Sequence, residues 1–153
     1  MVIRKLLFLT AALAALLAGG ISAGAASPAD TISTRQANFK KMGGAMKVLK
    51  EELAGGADKA KMLTAARTIA ATSRLQKGLF PAGTGPGAGV KTDALPAIWA
   101  QRPAFDAAAG KLVAEADKLV GVAGSGNSAA VLAQFKAVGG SCAACHRQFR
   151  ADE

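Results

Sequence analysis

The sequence predicts an all-α protein, an antiparallel four-helix bundle, and three observations carry that prediction. Beyond its first two dozen residues the chain is rich in Ala, Lys, Leu and Gln and holds no run of alternating apolar and polar residues of the kind that forms strands. Its apolar residues recur in steps of three and four along four separate stripes, which turns one face of each helix toward a partner. Breaks rich in glycine and proline separate the stripes, and short links between amphipathic helices favour antiparallel neighbours.

The chain opens MVIRKLLFLTAALAALLAGGISAGAASPAD. Arg4 and Lys5 precede an apolar run from Leu6 to Leu17, and small residues follow through Ala23, Gly24 and Ala25, the three-part pattern of a cleaved secretory signal. The run is too short to span a bilayer, which takes roughly 20 apolar residues. The expectation is export to the periplasm with loss of residues 1–25, cleavage falling near Ala25 or Ala26, and no stable membrane insertion. Residues 26–153 then form one domain with one modest core.

The first stripe of that domain is Ile32, Arg35, Phe39, Met42, Met46, Leu49 and Leu53, which predicts a helix over roughly 31–53. Gly55-Gly56 ends it. A second helix is expected from about Asp58 to Gly78, with Met62, Ala66, Ile69 and Ser73 inward; it is the least apolar of the four. Three prolines and four glycines within residues 81–96 exclude regular structure there. That stretch lacks the G-x-G-x-x-G spacing and the preceding strand of a phosphate cradle, so it reads as a mobile loop. The third stripe is Leu95, Ile98, Arg102, Phe105, Ala109, Leu112, Ala116 and Leu119. Pro103 suits only a first turn, which starts the main helix near Arg102. GVAGSGNS closes it, with Asn127 or Ser128 able to cap the last helix, whose stripe is Val131, Phe135, Val138, Cys142, Cys145 and Phe149. Much of this core is alanine. A core so thin suggests that something other than side chains fills part of it.

The net charge of +9 is spread over scattered lysines, with no basic tract interleaved with aromatics. That pattern describes solvated helix faces and argues against nucleic-acid binding. The chemistry concentrates in SCAACHRQF, residues 141–149, which holds both cysteines and the one histidine of the chain. Cys142 and Cys145 stand three apart, and His146 stands four after Cys142, so all three share one helix face. A thioredoxin-like dithiol belongs at the start of a helix after a strand, which this chain lacks. Structural zinc wants four ligands, and only three soft or nitrogen donors exist. A disulfide between i and i+3 on a helix has poor geometry and leaves the histidine unexplained. A solitary histidine on an apolar face is usually a satisfied core residue, but not one that directly follows Cys-x-x-Cys. The spacing is the signature of covalent haem c attachment, one haem per chain, with His146 as axial ligand to the iron. A porphyrin also explains the thin core, and Gly43, Gly44, Gly139 and Gly140 are candidates for letting helices approach it.

With the haem motif at the C-terminus of a four-helix chain, the sequence resembles the class II c-type cytochromes, and specifically the cytochrome c′ family. The resemblance covers essentially all of residues 26–153. It is carried by TRQANFKKMGGAMK (34–47), the LFPAGTG loop, DALPAIW (93–99) and VGGSCAACHRQFR (138–150). It implies that the iron is left largely five-coordinate, with Phe39 covering the face opposite His146. Low-spin members carry a methionine at that position, and this sequence departs from them. A phenyl ring offers iron no lone pair and a bound gas no hydrogen bond, which favours nitric oxide and carbon monoxide over dioxygen. Met42 and Met46 are alternative sixth ligands, although core filling is their ordinary use.

Arg35 sits inside an apolar stripe, where an unpaired charge is costly, and a haem propionate would justify it. The resemblance gives it that role, with Gln36 and Asp93 near the haem edge and Arg150 flanking the proximal imidazole. Arg150 equally reads as a charge complementing the dipole of the last helix. Trp99 and Phe105 are either porphyrin contacts or plain core. The function expected is that of a redox-active haem protein that binds nitric oxide and carbon monoxide, serves electron transfer to redox partner proteins or sequesters nitric oxide, and forms a homodimer through its first two helices. The alternative is a low-spin carrier with a methionine sixth ligand. Enzymatic consumption of nitric oxide is not expected, because with His146 engaged no second histidine remains to supply a proton.

Overall fold

The structure is a computed structural model and describes residues 26–152, so the expected export signal lies outside the described residues. Four long helices, α1 (Pro28–Glu51), α2 (Lys59–Leu75), α4 (Arg102–Ser125) and α5 (Ser128–Phe149), form the bundle, and α3 (Ala97–Ala100) is a single turn in the long crossover between α2 and α4. No strand occurs among the described residues, apart from one isolated bridge between Ala94 and Arg150.

Local chemistry sets the helix ends. α1 starts ahead of the stripe that announced it, because Pro28 supplies the helical φ of a first turn and Ser27 Oγ accepts from the Asp30 amide at 3.1 Å. It runs into a π-helical turn, Glu52–Gly56, and Ala57 then adopts a left-handed φ of 47°. Asp58 caps α2, its Oδ1 accepting from Ala60 N at 2.8 Å and Lys61 N at 3.0 Å. α2 stops at Leu75 rather than continuing to Gly78, tightening into a 3₁₀ turn over Gln76–Leu79. Gly126, at φ 76°, ends α4, and Asn127 Oδ1 caps α5 by accepting from Ala130 N at 3.1 Å.

The inward stripes of α2 and α4 match expectation: Met62, Ala66, Ile69 and Ser73 are buried on one, and Phe105, Ala109, Leu112, Ala116 and Leu119 on the other. α1 requires a correction. Its buried line is Ile32, Arg35, Asn38, Met42, Ala45 and Leu49, and Phe39 and Met46 are only half-buried. Each stands one residue past a buried position, about 100° round the helix. α1 therefore carries two functional faces, one packed on α2 and one turned to a cavity.

The helices pack as a chain of neighbours, α1 on α2, α2 on α4, and α4 on α5. α5 meets the π turn at the end of α1 more closely than the body of α1, and a cavity parts the start of α1 from the end of α5. Two apolar clusters follow from this. The larger fills the closed end with Leu49, Met62, Ile69, Leu119 and Val131 among others, much of the rest being alanine. The smaller gathers Phe80, Ile98, Phe105 and Phe149 at the open end, where Phe105 meets Phe80 and Phe149 edge-on at 4.8 and 5.5 Å between ring centres.

The segment 81–96 is irregular, as its glycines and prolines dictate, but it is firmly tied down. Trp99 Nε1 donates to Pro81 O at 2.9 Å, Arg102 donates to Phe80 O and Lys77 O at 2.9 Å each, and Leu95 N and Ala151 N close onto Phe149 O and Asp93 O. Leu119→Ala, at a position with no solvent exposure in the closed end, is expected to cost about 2–5 kcal/mol in urea unfolding of the intact protein. Leu132→Ala, at a site on α5 that is 41% exposed, should change it by less than about 0.5 kcal/mol.

Candidate functional site

The space between the diverging ends of α1 and α5 is a cavity of about 430 Å³, within the range of roughly 300–1,000 Å³ that binds small organic ligands. α5 presents Cys142, Cys145 and His146 to it from successive turns; α1 presents Arg35, Gln36, Phe39, Met42, Gly43 and Met46. The rest of the wall is mostly apolar and comes from Phe80, Ile98, Phe105, Leu112 and Phe149 with three alanines. Asp93 and Arg150 also border it, so each residue expected to attach the haem, ligate its iron, cover it or flank its edge lines this one cavity.

The electrostatics of the three donors narrow their chemistry. Burial raises the Cys142 thiol above its ordinary value, and burial together with the neighbouring Cys142 raises Cys145. Both thiols are unpaired and protonated at neutral pH, the opposite of the lowered pKa that a redox dithiol needs. Partial burial, and then the positive charge of Arg150, hold the His146 imidazole below its usual value although the residue is exposed. It is neutral at pH 7 and keeps a lone pair for a metal. Among the described residues no group of three or more His, Cys, Asp and Glu side chains could hold an ion by itself.

Polar groups collect at one side of the cavity, where the start of α1, the end of the 81–96 segment and the end of α5 meet. Gln36 Nε2 donates to Lys91 O at 2.9 Å, and Asp93 Oδ2 lies 4.0 Å from Arg150 Nε. Arg35 stands beside them on the wall that α1 presents. It is buried, and its guanidinium is satisfied by neutral acceptors of the protein: Nη1 donates to Leu79 O and Thr84 Oγ1 at 3.2 and 3.3 Å, and Nη2 to Thr84 O and Thr92 Oγ1 at 3.0 and 2.8 Å. It also stacks 4.3 Å above the Phe80 ring. Burial depresses its pKa without removing its charge. Arg35 thus pins the irregular segment to α1, whatever else it faces across the cavity.

Other expectations divide. Phe105 lines the cavity, whereas Trp99 packs on the irregular segment, its ring 3.0 Å from the position a Cβ would take on Gly85. Gly43 borders the cavity; Gly44, Gly139 and Gly140 neither border it nor stand close to another helix. Met42 and Met46 both line the wall. Phe80, Thr92 and Gln76 were not anticipated. Phe80 could have been suspected as one of few aromatics beside the loop, but nothing in the local pattern marks Gln76.

The donor set and the wall suit haem c. Two thiols and a neutral imidazole one turn apart face an apolar slot, a cationic side chain and amides stand at one edge, and Gly43 leaves room on the α1 wall. The comparisons with known proteins agree. Residues 30–150 match the family model described as cytochrome C′. The cytochrome c′ of Rhodospirillum rubrum is 37% identical over 97% of this chain and 99% of its own length. A crystal structure of a cytochrome c′ with a ligand-controlled dimer dissociation superposes with a TM-score of 0.80 at 33% identity, covering 84% of this chain and all of that one. A nitric oxide complex of a variant cytochrome c prime from Alcaligenes xylosoxidans superposes with a TM-score of 0.75 at 27% identity, over 83% of this chain and 98% of that one. From the cavity, its donors and this agreement over nearly the whole length, the chain belongs to the cytochrome c′ family of four-helix haem proteins.

Proposed function

We propose that the protein is a periplasmic, redox-active haem protein with one haem c per chain and largely five-coordinate iron, which binds nitric oxide and carbon monoxide. The observation that carries this reading is the convergence of Cys142, Cys145 and His146 with Phe39 on one apolar cavity. Cys142 and Cys145 hold the porphyrin through thioethers, and His146 holds the iron from one side. When bound, the haem supplies an iron centre that cycles by one electron and takes up diatomic ligands. Phe39 occupies the opposite side with a ring that neither coordinates nor donates, and its half-buried edge against Phe80, 6.4 Å between ring centres, leaves it able to turn aside. Gln36, Asp93 and Arg150 flank the haem edge.

The roles that follow are electron transfer with soluble redox partners and sequestration of nitric oxide, rather than catalysis. The structurally similar nitric oxide complex supports gas binding. Homodimerisation through α1 and α2 is supported by the groove those helices form, which exposed Val48 lines with Ala45 and Ala65, and by the dimer described for the similar structure. Among the described residues no helix is long and apolar enough to cross a membrane. One observation favours the alternative of a low-spin carrier: Met42 and Met46 both reach the cavity wall.

Replacing both cysteines, Cys142→Ala with Cys145→Ala, should convert a pigment that survives acid-acetone extraction into one that is lost to the organic phase; retention in the double variant would overturn covalent attachment. Phe39→Ala should speed carbon monoxide association to the ferrous protein by about tenfold, which corresponds to about 1.4 kcal/mol of barrier. An unchanged rate would show that the ring does not guard the iron. A ferric spectrum with a sulfur-to-iron band, lost in Met42→Leu or Met46→Leu, would establish the low-spin alternative instead.

A further inference from the structure

Cations that lie scattered along the sequence are gathered in space on the two helices beside the cavity. On α1, Gln36, Lys40, Gly43, Lys47 and Lys50 follow in steps of four and three, and all are exposed. Gln36 and Gly43 border the cavity, so Lys40 and Lys47, interleaved with them, flank its mouth. Asn38 reaches Thr72 O on α2, and Lys40, two residues on, stands about 200° round the helix from that contact. α5 repeats the pattern. Lys136, Gly140, Ala143, Arg147 and Arg150 follow in the same steps, the first four exposed, and Arg150 borders the cavity. Gln134 Nε2 donates to Glu115 O on α4, and Lys136, two residues on, is again turned away from the packed neighbour. Lys91 joins these cations beside α1, where its carbonyl accepts Gln36 Nε2 at 2.9 Å.

Carboxylates are scarce on this face. α1 has none between Asp30 and Glu51, and α5 has none between Ser128 and Phe149. Asp93 stands 4.0 Å from Arg150 Nε and Glu51 3.8 Å from Lys47 Nζ, whereas Lys40, Lys50, Lys91, Lys136 and Arg147 pair with no carboxylate among the described residues. α4 differs, because its Asp106, Glu115 and Asp117 pair with Arg102, Lys118 and Arg74. Solubility alone is served by charges of both signs, as on α4. Charges of one sign along both lips of a low-dielectric cavity add their fields at its mouth and steer oppositely charged partners there. We propose that the α1–α5 face is the docking surface for a redox partner protein whose own contact surface is acidic, and that these cations bring the partner to the cavity mouth. The proposal rests on the haem reading. One electron passes between the haem iron and the partner's one-electron centre, one being oxidised as the other is reduced, and no bond or proton changes hands. Gln36, Gly43, Asp93 and His146 are exposed where they border the cavity, so it opens to solvent between the two flanks and a docked partner stands directly against the opening.

The test is the ionic-strength dependence of electron transfer in the holoprotein. Between about 10 and 200 mM salt, oxidation of the ferrous protein by the anion hexacyanoferrate(III) should slow by about tenfold, and oxidation by the cation tris(phenanthroline)cobalt(III) should quicken. Reduction of the ferric protein by a reduced plant-type ferredoxin, an acidic one-electron protein, should slow with salt in the same sense as the hexacyanoferrate reaction. Lys40→Glu with Arg147→Glu should remove about half or more of the salt effect on the hexacyanoferrate and ferredoxin rates. Arg67→Glu with Lys111→Glu makes the same change in net charge at exposed positions of α2 and α4 and should remove no more than about a quarter of it. The slope against salt is the readout, since a change of haem potential moves a rate without moving its slope. Equal losses in the two double variants overturn the inference, because net charge alone then does the steering. Rates in the unmodified protein that salt leaves unchanged overturn it as well, even if no variant folds. If Lys40→Glu with Arg147→Glu abolishes sedimentation with phosphatidylglycerol vesicles yet leaves the ferredoxin rate and its slope unaltered, the face serves a membrane and the inference falls. A protein that purifies without covalent haem sinks the haem reading instead, an outcome visible in its absorbance before any reagent is mixed.

Discussion

The divergence of α1 from α5 is the constraint on which the molecule turns. At the closed end the two helices converge on the π turn Glu52–Gly56 and on a core of Leu49, Met62, Ile69, Leu119 and Val131. At the open end they stand apart, and nothing in the helices themselves would keep them so, since apolar helix faces left to themselves close up. Two devices hold the gap. Aromatic rings at Phe80, Phe105 and Phe149 fill the far wall edge to face, and the 81–96 segment is held against α1 by three hydrogen bonds from Arg35. A bound porphyrin supplies the remaining apolar surface that a bundle so rich in alanine lacks.

Arg35 shows how one charge can serve structure without a counter-ion. A buried guanidinium with no carboxylate would be costly if its donors were idle, but carbonyl and hydroxyl oxygens of Leu79, Thr84 and Thr92 take them, and the Phe80 ring takes its flat face. The irregular segment returns the favour. Its backbone has no helix or sheet to satisfy it, and Arg35 and Trp99 donate to its Thr84 and Pro81 carbonyls. A stretch whose composition suggested mobility is thus held in place by side chains from two helices.

Much of the fold could be read from the chain because helix periodicity is a local property. Met62, Ile69, Phe105, Leu112, Leu119 and Val138 fell on buried faces because steps of three and four leave few other arrangements. α1 was harder. Phe39 and Asn38 differ by one residue, and an apolar phenylalanine attracts the core assignment that the amide received. Asn38 is buried because its Nδ2 reaches Thr72 O across the α1–α2 contact, a partner that no local pattern announces. Phe39 was freed by the same rotation to face the cavity.

From sequence alone came the class of protein and the chemistry of its last helix: Cys142, Cys145 and His146 share a face whatever surrounds them, since three and four residues are one turn. The partners of the polar residues were decided only in three dimensions. Arg35 found hydroxyls and carbonyls 44 to 57 residues away along the chain, and Trp99 turned to the loop, where its Nε1 donates to Pro81 O, rather than to the cavity. The physical reason is that burial patterns follow from the period of one helix, whereas hydrogen bonds across a bundle depend on how separate segments are set against each other.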